Sequence, residues 1–399
     1  MNICIVTLPK ISPLNGGVEN VCFNLAQHIA RKKEHKIFSL YIQEDKNTPE
    51  IEQVEYVQLP PLSECLQVHH VHVFQRFLRD NSIDIVWLHS PGYPLSTLIK
   101  RATTGTKAKI VSIYHSSPYT ILREVGDRHD LYQYRCIHHG ELIPYLLLLL
   151  KLPLIYLNAI RKTRMAFNVM LDSSDYIALL SSHYISEFVL LSGCRNRNKL
   201  HYVTNPIVSP EIPICSTNKK NQLLVVCRHE YKHKRLDRIL RIWKKIQHQH
   251  SDWKLVILGD GPAHQEYKDY AKRLELQRVT FAGKQKPDSY YAESKIICMT
   301  SSWEGLPMVL IEAQRYGCVP IAYESFSALQ DIIIPGKTGI CVKPFQQNEY
   351  ISYLSMLMED DALLKRLAQN SIQHSTNFSI EKVATRWIQI FKSTQSVQN

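Results

Sequence analysis

Short apolar runs of two kinds alternate along this chain. Some are almost uniformly apolar, rich in Ile and Val and four to seven residues long, as in a strand buried on both faces. Others place apolar residues three and four apart and read as amphipathic helices. In the first half the pattern predicts strands over 3–8, 36–42, 83–89, 110–115 and 176–180, and helices over 18–31, 68–81, 93–101 and 182–191. In the second half it predicts strands over 223–227, 254–258, 279–282, 296–300, 319–322 and 339–342, and helices over 236–248, 263–274, 308–316 and 348–358. Alternation of this kind builds right-handed βαβ units around a parallel sheet covered on both faces.

The rhythm breaks in the polar, proline-containing stretch that begins near Asn205-Pro206-Ile207-Val208-Ser209-Pro210. A chain of 399 residues is too long for one ordinary core. The break therefore reads as a linker, 206–220, between a domain over 1–205 and a second over 221–379, with a last helix in 380–399. Two doubly wound α/β domains leave a cleft between the carboxyl edges of their sheets, the edges at which such sheets bind ligands.

Composition narrows the partners. A chain that is 45% apolar and 21% charged is globular. Its net charge of +12 favours anionic partners: nucleotide diphosphates, nucleic acid or an acidic membrane face. Lys and Arg are scattered and no nucleic-acid-reading motif occurs, so no nucleic-acid partner is expected. The ten cysteines form no CxxC pair and read as small buried hydrophobes of a reducing compartment. The opening Met1-Asn2-Ile3-Cys4-Ile5-Val6 reads directly as a strand without a basic-then-apolar leader, so a cytoplasmic location is expected.

The candidate chemistry lies at strand ends. After the 296–300 strand comes Ser301-Ser302-Trp303-Glu304-Gly305-Leu306-Pro307-Met308-Val309-Leu310-Ile311-Glu312-Ala313. Pro307 fits the first turn of the helix that follows, with Glu304 in the loop before it and Glu312 about two turns inside. The helix start offers free N–H groups and partial positive charge to a phosphate. Arg228 and Lys234 flank the loop after the 223–227 strand, where an Arg fork and a Lys point charge suit a departing diphosphate; Lys232 is the alternative to Lys234. Gly16-Gly17 opens the first helix and lets backbone approach a ligand. His115 ends one strand and His89 another, positions that a satisfied structural histidine occupies equally well. Gly259-Asp260-Gly261 makes a tight strand-to-helix turn.

Together these motifs resemble family-4 glycosyltransferases, retaining enzymes of the GT-B fold that use nucleotide-sugar donors. The resemblance rests on Glu304-Gly305-Leu306-Pro307 through Glu312-Ala313 with Gly317, and on Gly16-Gly17-Val18-Glu19. It implies two Rossmann-like domains facing across a cleft, with the last helix crossing back to the first. It implies that Glu304 faces the transferred sugar, Glu312 takes the ribose hydroxyls, and Arg228 and Lys234 neutralise the leaving diphosphate. Gly16, Gly17, Gly259, Gly305, Leu306, Pro307 and Met308 would then line the donor, with His115 at the sugar and His89 on the acceptor side. A UDP-sugar donor and a lipid-linked surface glycan acceptor, of lipopolysaccharide or capsule type, are favoured. No cofactor is expected. No Asp-x-Asp pair or zinc-spaced His/Cys cluster occurs, so no metal is expected either. An epimerase acting on nucleotide-sugars and a non-catalytic glycan-binding subunit are the other readings.

The leucine-rich stretch over 142–157 stands outside this scheme. Arg161, Lys162 and Arg164 follow it, and Arg123, Arg128 and Arg135 precede it. It reads either as a buried helix or as one lying in an anionic membrane surface, and its five successive leucines favour the membrane.

Overall fold

The computed structural model describes residues 1–14, 17–45, 47–126, 142–208 and 219–396. The chain divides into two units: Met1–Pro118, Leu157–Val208 and Phe378–Asn399 form one, Tyr119–Tyr156 and Ser209–Asn377 the other. Where the sequence predicts an unbroken first domain over 1–205, residues Tyr119–Tyr156 thus group with the second unit. Most of the 206–220 linker, and Arg128 and Arg135, lie outside the described residues.

The first unit is built on parallel strands β1 (Asn2–Val6), β2 (Lys36–Tyr41), β3 (Val54–Gln58), β4 (Ile85–Leu88), β5 (Lys109–Tyr114), β6 (Tyr176–Leu179) and β7 (Leu200–Tyr202). They lie in the order β3-β2-β1-β4-β5-β6-β7. The central strands are apolar throughout because helices cover both faces: Ile3, Cys4, Ile5 and Val6 are fully buried, as are Ile85, Val86, Trp87 and Leu88. The two strands the sequence pattern passes over are the outer ones. β3 is half exposed and carries Glu55 and Gln58, and β7 is only three residues long.

The final helix, Ile380–Ser396, groups with this unit. The Ile207 N–H donates to the Phe378 carbonyl at 2.8 Å as the chain returns. Trp387 then packs on Trp87 with ring centroids 4.7 Å apart, and Phe391 meets the same ring edge-on.

The second unit repeats the plan with β8 (Lys220–Val226), β9 (Lys254–Leu258), β10 (Val279–Gly283), β11 (Ser294–Met299), β12 (Val319–Tyr323) and β13 (Ile340–Val342). Their order is β10-β9-β8-β11-β12-β13, again all parallel. In each sheet the chain winds outward from one central strand, then returns to that strand's other side. The connections after β1 and β4, and after β8 and β11, therefore leave towards opposite faces of each sheet, the switch point at which such sheets bind ligands.

The leucine-rich stretch forms the start of a 32-residue helix, Leu142–Ser173, with Pro153 inside it. Leu142, Leu146, Leu147, Leu150, Leu154 and Leu157 are exposed, Leu150 at 77%. These leucines lie at the surface of the described chain, where a core helix would hide its apolar face. Among the described residues it is the one helix long and apolar enough to cross a membrane, by length and composition.

Trp387 is 1% exposed and fills the space against Trp87. Trp387→Ala is expected to cost about 3–5 kcal/mol, read as a shifted urea midpoint of the first unit. A loss below about 1 kcal/mol would mean that the helix does not brace the sheet.

Candidate active site

The loops after β8 and β11 are fastened to each other along their length. Thr300 Oγ1 donates to the Arg235 carbonyl at 3.0 Å, and Arg238 donates from Nη1 to the Thr300 carbonyl at 3.0 Å. The Ser302 N–H donates to the His233 carbonyl at 2.7 Å, and the His233 ring stacks on Trp303. Arg235 takes a left-handed conformation, φ 48°, immediately before the helix Leu236–Ile246. Asp237 in the first turn holds both Arg235, at 2.9 Å, and Arg241, at 2.7 Å.

This fastening puts Lys234 on Glu304. Its Nζ lies 2.8 Å from Oε1 and 2.9 Å from Oε2 of that carboxylate, which is 7% exposed. Burial pushes the lysine pKa down, but the Glu304 charge and hydrogen bond outweigh it, and the net shift is upward. Lys232 is exposed and makes no such contact. Arg228 shares the loop, yet its side chain is 67% exposed and pairs with Glu230 at 2.9 Å. The structure thus brings Lys234 and Glu304 together and leaves Arg228 at the loop's outer side.

Gly259 and Gly261 make room for that loop. A Cβ on Gly259, whose φ is +124°, would sit 1.8 Å from the Cys227 carbonyl oxygen. On Gly261, φ +156°, it would sit 2.6 Å from the His229 carbonyl oxygen. Beneath lies a histidine pair that the motifs do not reveal. His229 and His264 stack with their Nδ1 atoms 2.9 Å apart, and burial plus the neighbouring ring lowers His229 to about 4. Only the approach of the glycine turn to the 227–230 backbone makes this pair visible.

Beyond β11, Pro307 is the residue before the helix Met308–Arg315, with ψ 94°. The sequence places it inside the first turn; its extended ψ starts the helix one residue later. Glu312 is accordingly the fifth helical residue, a little over one turn in, not two. Leu306 is buried, the Leu310 N–H donates to the Pro307 carbonyl at 3.1 Å, and the Met308 and Val309 N–H groups have no acceptor within the helix. Glu312 Oε2 accepts from the Tyr291 hydroxyl at 2.9 Å, and Tyr291 is 1% exposed. Burial raises the Glu312 pKa, partly offset by that hydrogen bond. Gly317 closes the helix at φ +66°, where the Cys318 N–H reaches the Ala313 carbonyl.

In the first unit, Gly17 has φ 72° and precedes the helix Val18–Arg31. Gly16 lies outside the described residues. His89 and His115, just past β4 and β5, stack on each other with His89 Nδ1 2.9 Å from His115 Nε2. Burial lowers His115 to about 3 and His89 well below the usual histidine range, so both are neutral. Among the described residues no group of three or more His, Cys, Asp or Glu could hold a metal ion.

Two family models match the chain: "Glycosyltransferase Family 4" over residues 15–153 and "Glycosyl transferases group 1" over 213–374. An amylovoran biosynthesis glycosyltransferase of Erwinia amylovora is 36% identical over 172 residues, covering 42% of this chain and 47% of that protein. The match thus spans about half the length of that relative. Among solved structures, the lipopolysaccharide outer core galactosyltransferase WaaB superposes with a TM-score of 0.71 at 19% identity, covering 98% of this chain and 99% of WaaB. HepE of Anabaena, in complex with UDP-glucose, gives a TM-score of 0.69 at 14% identity over 98% of this chain and 100% of HepE. These likenesses show the fold.

Two outcomes follow from the geometry. Gly259→Ala is expected to displace the 227–230 loop and lower the melting temperature; an unchanged melting temperature would show that the turn has room to spare. Glu312 carries a raised pKa, so its ionisation in the folded state costs stability at neutral and higher pH and not below the ordinary carboxylate range. Glu312→Gln should therefore raise the melting temperature at pH 8, and the gain should shrink as pH falls towards 4. A gain independent of pH would contradict this.

Proposed function

The chain belongs to the family-4, group 1 glycosyltransferases, and from that premise we propose a retaining enzyme that moves a sugar from a UDP-sugar to a hydroxyl of a growing, lipid-linked surface glycan. The observation that carries this reading is the buried pair of Lys234 and Glu304 at the β8–β11 edge. Breaking the bond between the sugar and the nucleoside diphosphate leaves negative charge on the terminal phosphate. Lys234, kept protonated by Glu304, lies where it can take up that charge as it develops. Arg228 reaches the same group by exchanging Glu230 for phosphate. The first-turn amides near Leu306–Met308 hold the phosphates, and Gly305 lets the loop pass close to them. Preorganised cations and amides in a partly dry site need little rearrangement as the bond breaks.

Glu304 has two oxygens on Lys234, and a sugar hydroxyl entering the site shares that carboxylate. Glu312 offers Oε1 to the ribose hydroxyls while Tyr291 holds Oε2. On the first unit, Gly17 offers a close backbone approach before the helix Val18–Arg31, and His115 a neutral ring for a sugar hydroxyl. No nucleophile is assigned. The neutralisation of the diphosphate is assigned to the side chains and amides, with no metal.

The UDP reading draws support from HepE, described with UDP-glucose, and the surface-glycan reading from the amylovoran and lipopolysaccharide enzymes. The exposed leucines of Leu142–Ser173, with Arg161, Lys162 and Arg164 on the same helix, support docking on an anionic leaflet. We place the enzyme as a peripheral protein of the inner face of the cytoplasmic membrane, where lipid-linked acceptors are built.

Lys234→Ala is expected to lower kcat by about 10²–10³-fold, and EDTA to leave transfer unchanged; full activity of the variant, or loss in EDTA, would refute the corresponding part. Donor consumption with no acceptor present, yielding an isomerised nucleotide-sugar, would point instead to an epimerase. Replacing Leu146, Leu150 and Leu154 together with Gln should abolish co-sedimentation with phosphatidylglycerol vesicles while leaving UDP binding intact. Equal sedimentation of wild type and variant would remove the membrane part.

A further inference from the structure

The histidines at the ends of β4 and β5 form a closed pair with a consequence for the sugar site. Their rings stack with centroids 5.2 Å apart and planes within 18°. The one contact between them is His89 Nδ1 to His115 Nε2, at 2.9 Å. The outer nitrogens, His89 Nε2 and His115 Nδ1, are buried and have no hydrogen-bond partner among the described residues. So is Thr7 Oγ1, just past the neighbouring strand β1. His89 is 3% exposed and is held from behind by Trp87, at 4.5 Å, which in turn rests on Trp387 and Phe391.

A neutral pair joined this way shares one N–H between its inner nitrogens. If His115 donates from Nε2, His89 must carry its own proton on Nε2, and His115 Nδ1 is an acceptor. If His89 donates from Nδ1, His115 must carry its proton on Nδ1, which is then a donor. The two rings therefore always adopt the same tautomer, and the outer nitrogens always have opposite character. His115 Nε2 is never available to a ligand while the pair is closed. Only Nδ1 remains, and a buried nitrogen without a partner is a group for which a ligand hydroxyl supplies the missing bond.

We propose that His89 is a positioning residue: it fixes the ring orientation and tautomer of His115, so that His115 meets a sugar hydroxyl through Nδ1. This rests on the reading that His115 faces the transferred sugar. It moves His89 from the acceptor side, where the sequence suggests it, to a role behind His115.

The test uses the full chain with ¹⁵N-labelled histidine, long-range ¹H–¹⁵N spectra and steady-state transfer from UDP-glucose, or whichever UDP-sugar a donor screen selects. In the wild type both rings should be neutral and share one tautomer; opposite tautomers, or rapid averaging at both, would overturn the pairing. His89→Phe keeps the ring and removes the nitrogen. It should return His115 to tautomer averaging and lower kcat tenfold or more with the donor KM within twofold. His89→Asn places an amide near the former Nδ1 and should restore most of the activity and a single His115 tautomer. Unchanged His115 signals in His89→Phe, or changed signals with unchanged kcat, would overturn the positioning role. If His89→Phe does not fold, the wild-type spectrum and His89→Asn decide the matter by the same criteria. His115→Ala separates the two readings: if it transfers sugar at the wild-type rate, His115 does not face the sugar, whatever the spectra show.

Discussion

The second unit is organised around one buried ion pair. Lys234 and Glu304 sit on loops from two neighbouring central strands, and neither charge is tolerable there without the other. Their approach is set less by their own attraction than by backbone. The hydrogen bonds from Thr300, Ser302 and Arg238 hold the β11 loop against the β8 loop independently of the ion pair itself. A buried pair of this kind is weak evidence for stability, because desolvation consumes much of the Coulomb energy. It is better evidence for a site, since a cation held protonated and oriented at a sheet edge is ready for an anionic ligand.

The surrounding elements give up local comfort to hold this arrangement. Gly259 and Gly261 occupy backbone conformations closed to other residues so that the 227–230 loop can lie on them. His229 stays neutral beneath it, and Glu312 keeps a carboxylate in a partly dry place beside Tyr291. In the core of the same sheet, Leu223, Leu255, Ile257, Ile296 and Ile321 are buried together in one apolar cluster. The first unit shows the same division, with an apolar strand β4 ending in the polar His89.

Much of the fold was legible because buried parallel strands write themselves as continuous apolar runs. β1, β4, β8 and β11 are of this kind, and the pattern locates all four. β3, which alternates and lies at an edge, and β7, three residues long, carry too little periodic signal. The long helix Leu142–Ser173 reads only in its leucine-rich half, since its later turns are polar on several sides. Of the site, the sequence supplies residue types at strand ends but not their partners. It cannot distinguish Lys234 from Lys232, because that depends on the left-handed turn at Arg235. It offers no hint of the His229–His264 pair, whose members stand 35 positions apart. Nor does it show that Arg228 rests on Glu230.

The most direct test of the central claim separates the stability of the ion pair from its chemistry. In a double-mutant cycle on Lys234→Met and Glu304→Gln, each single variant leaves an uncompensated buried charge, whereas the double variant leaves no charge at all. The double variant is expected to regain near-wild-type thermal stability while its kcat stays about 10²–10³-fold below that of the wild type. A double variant that is stable and transfers sugar at the wild-type rate would show that the pair is architecture alone.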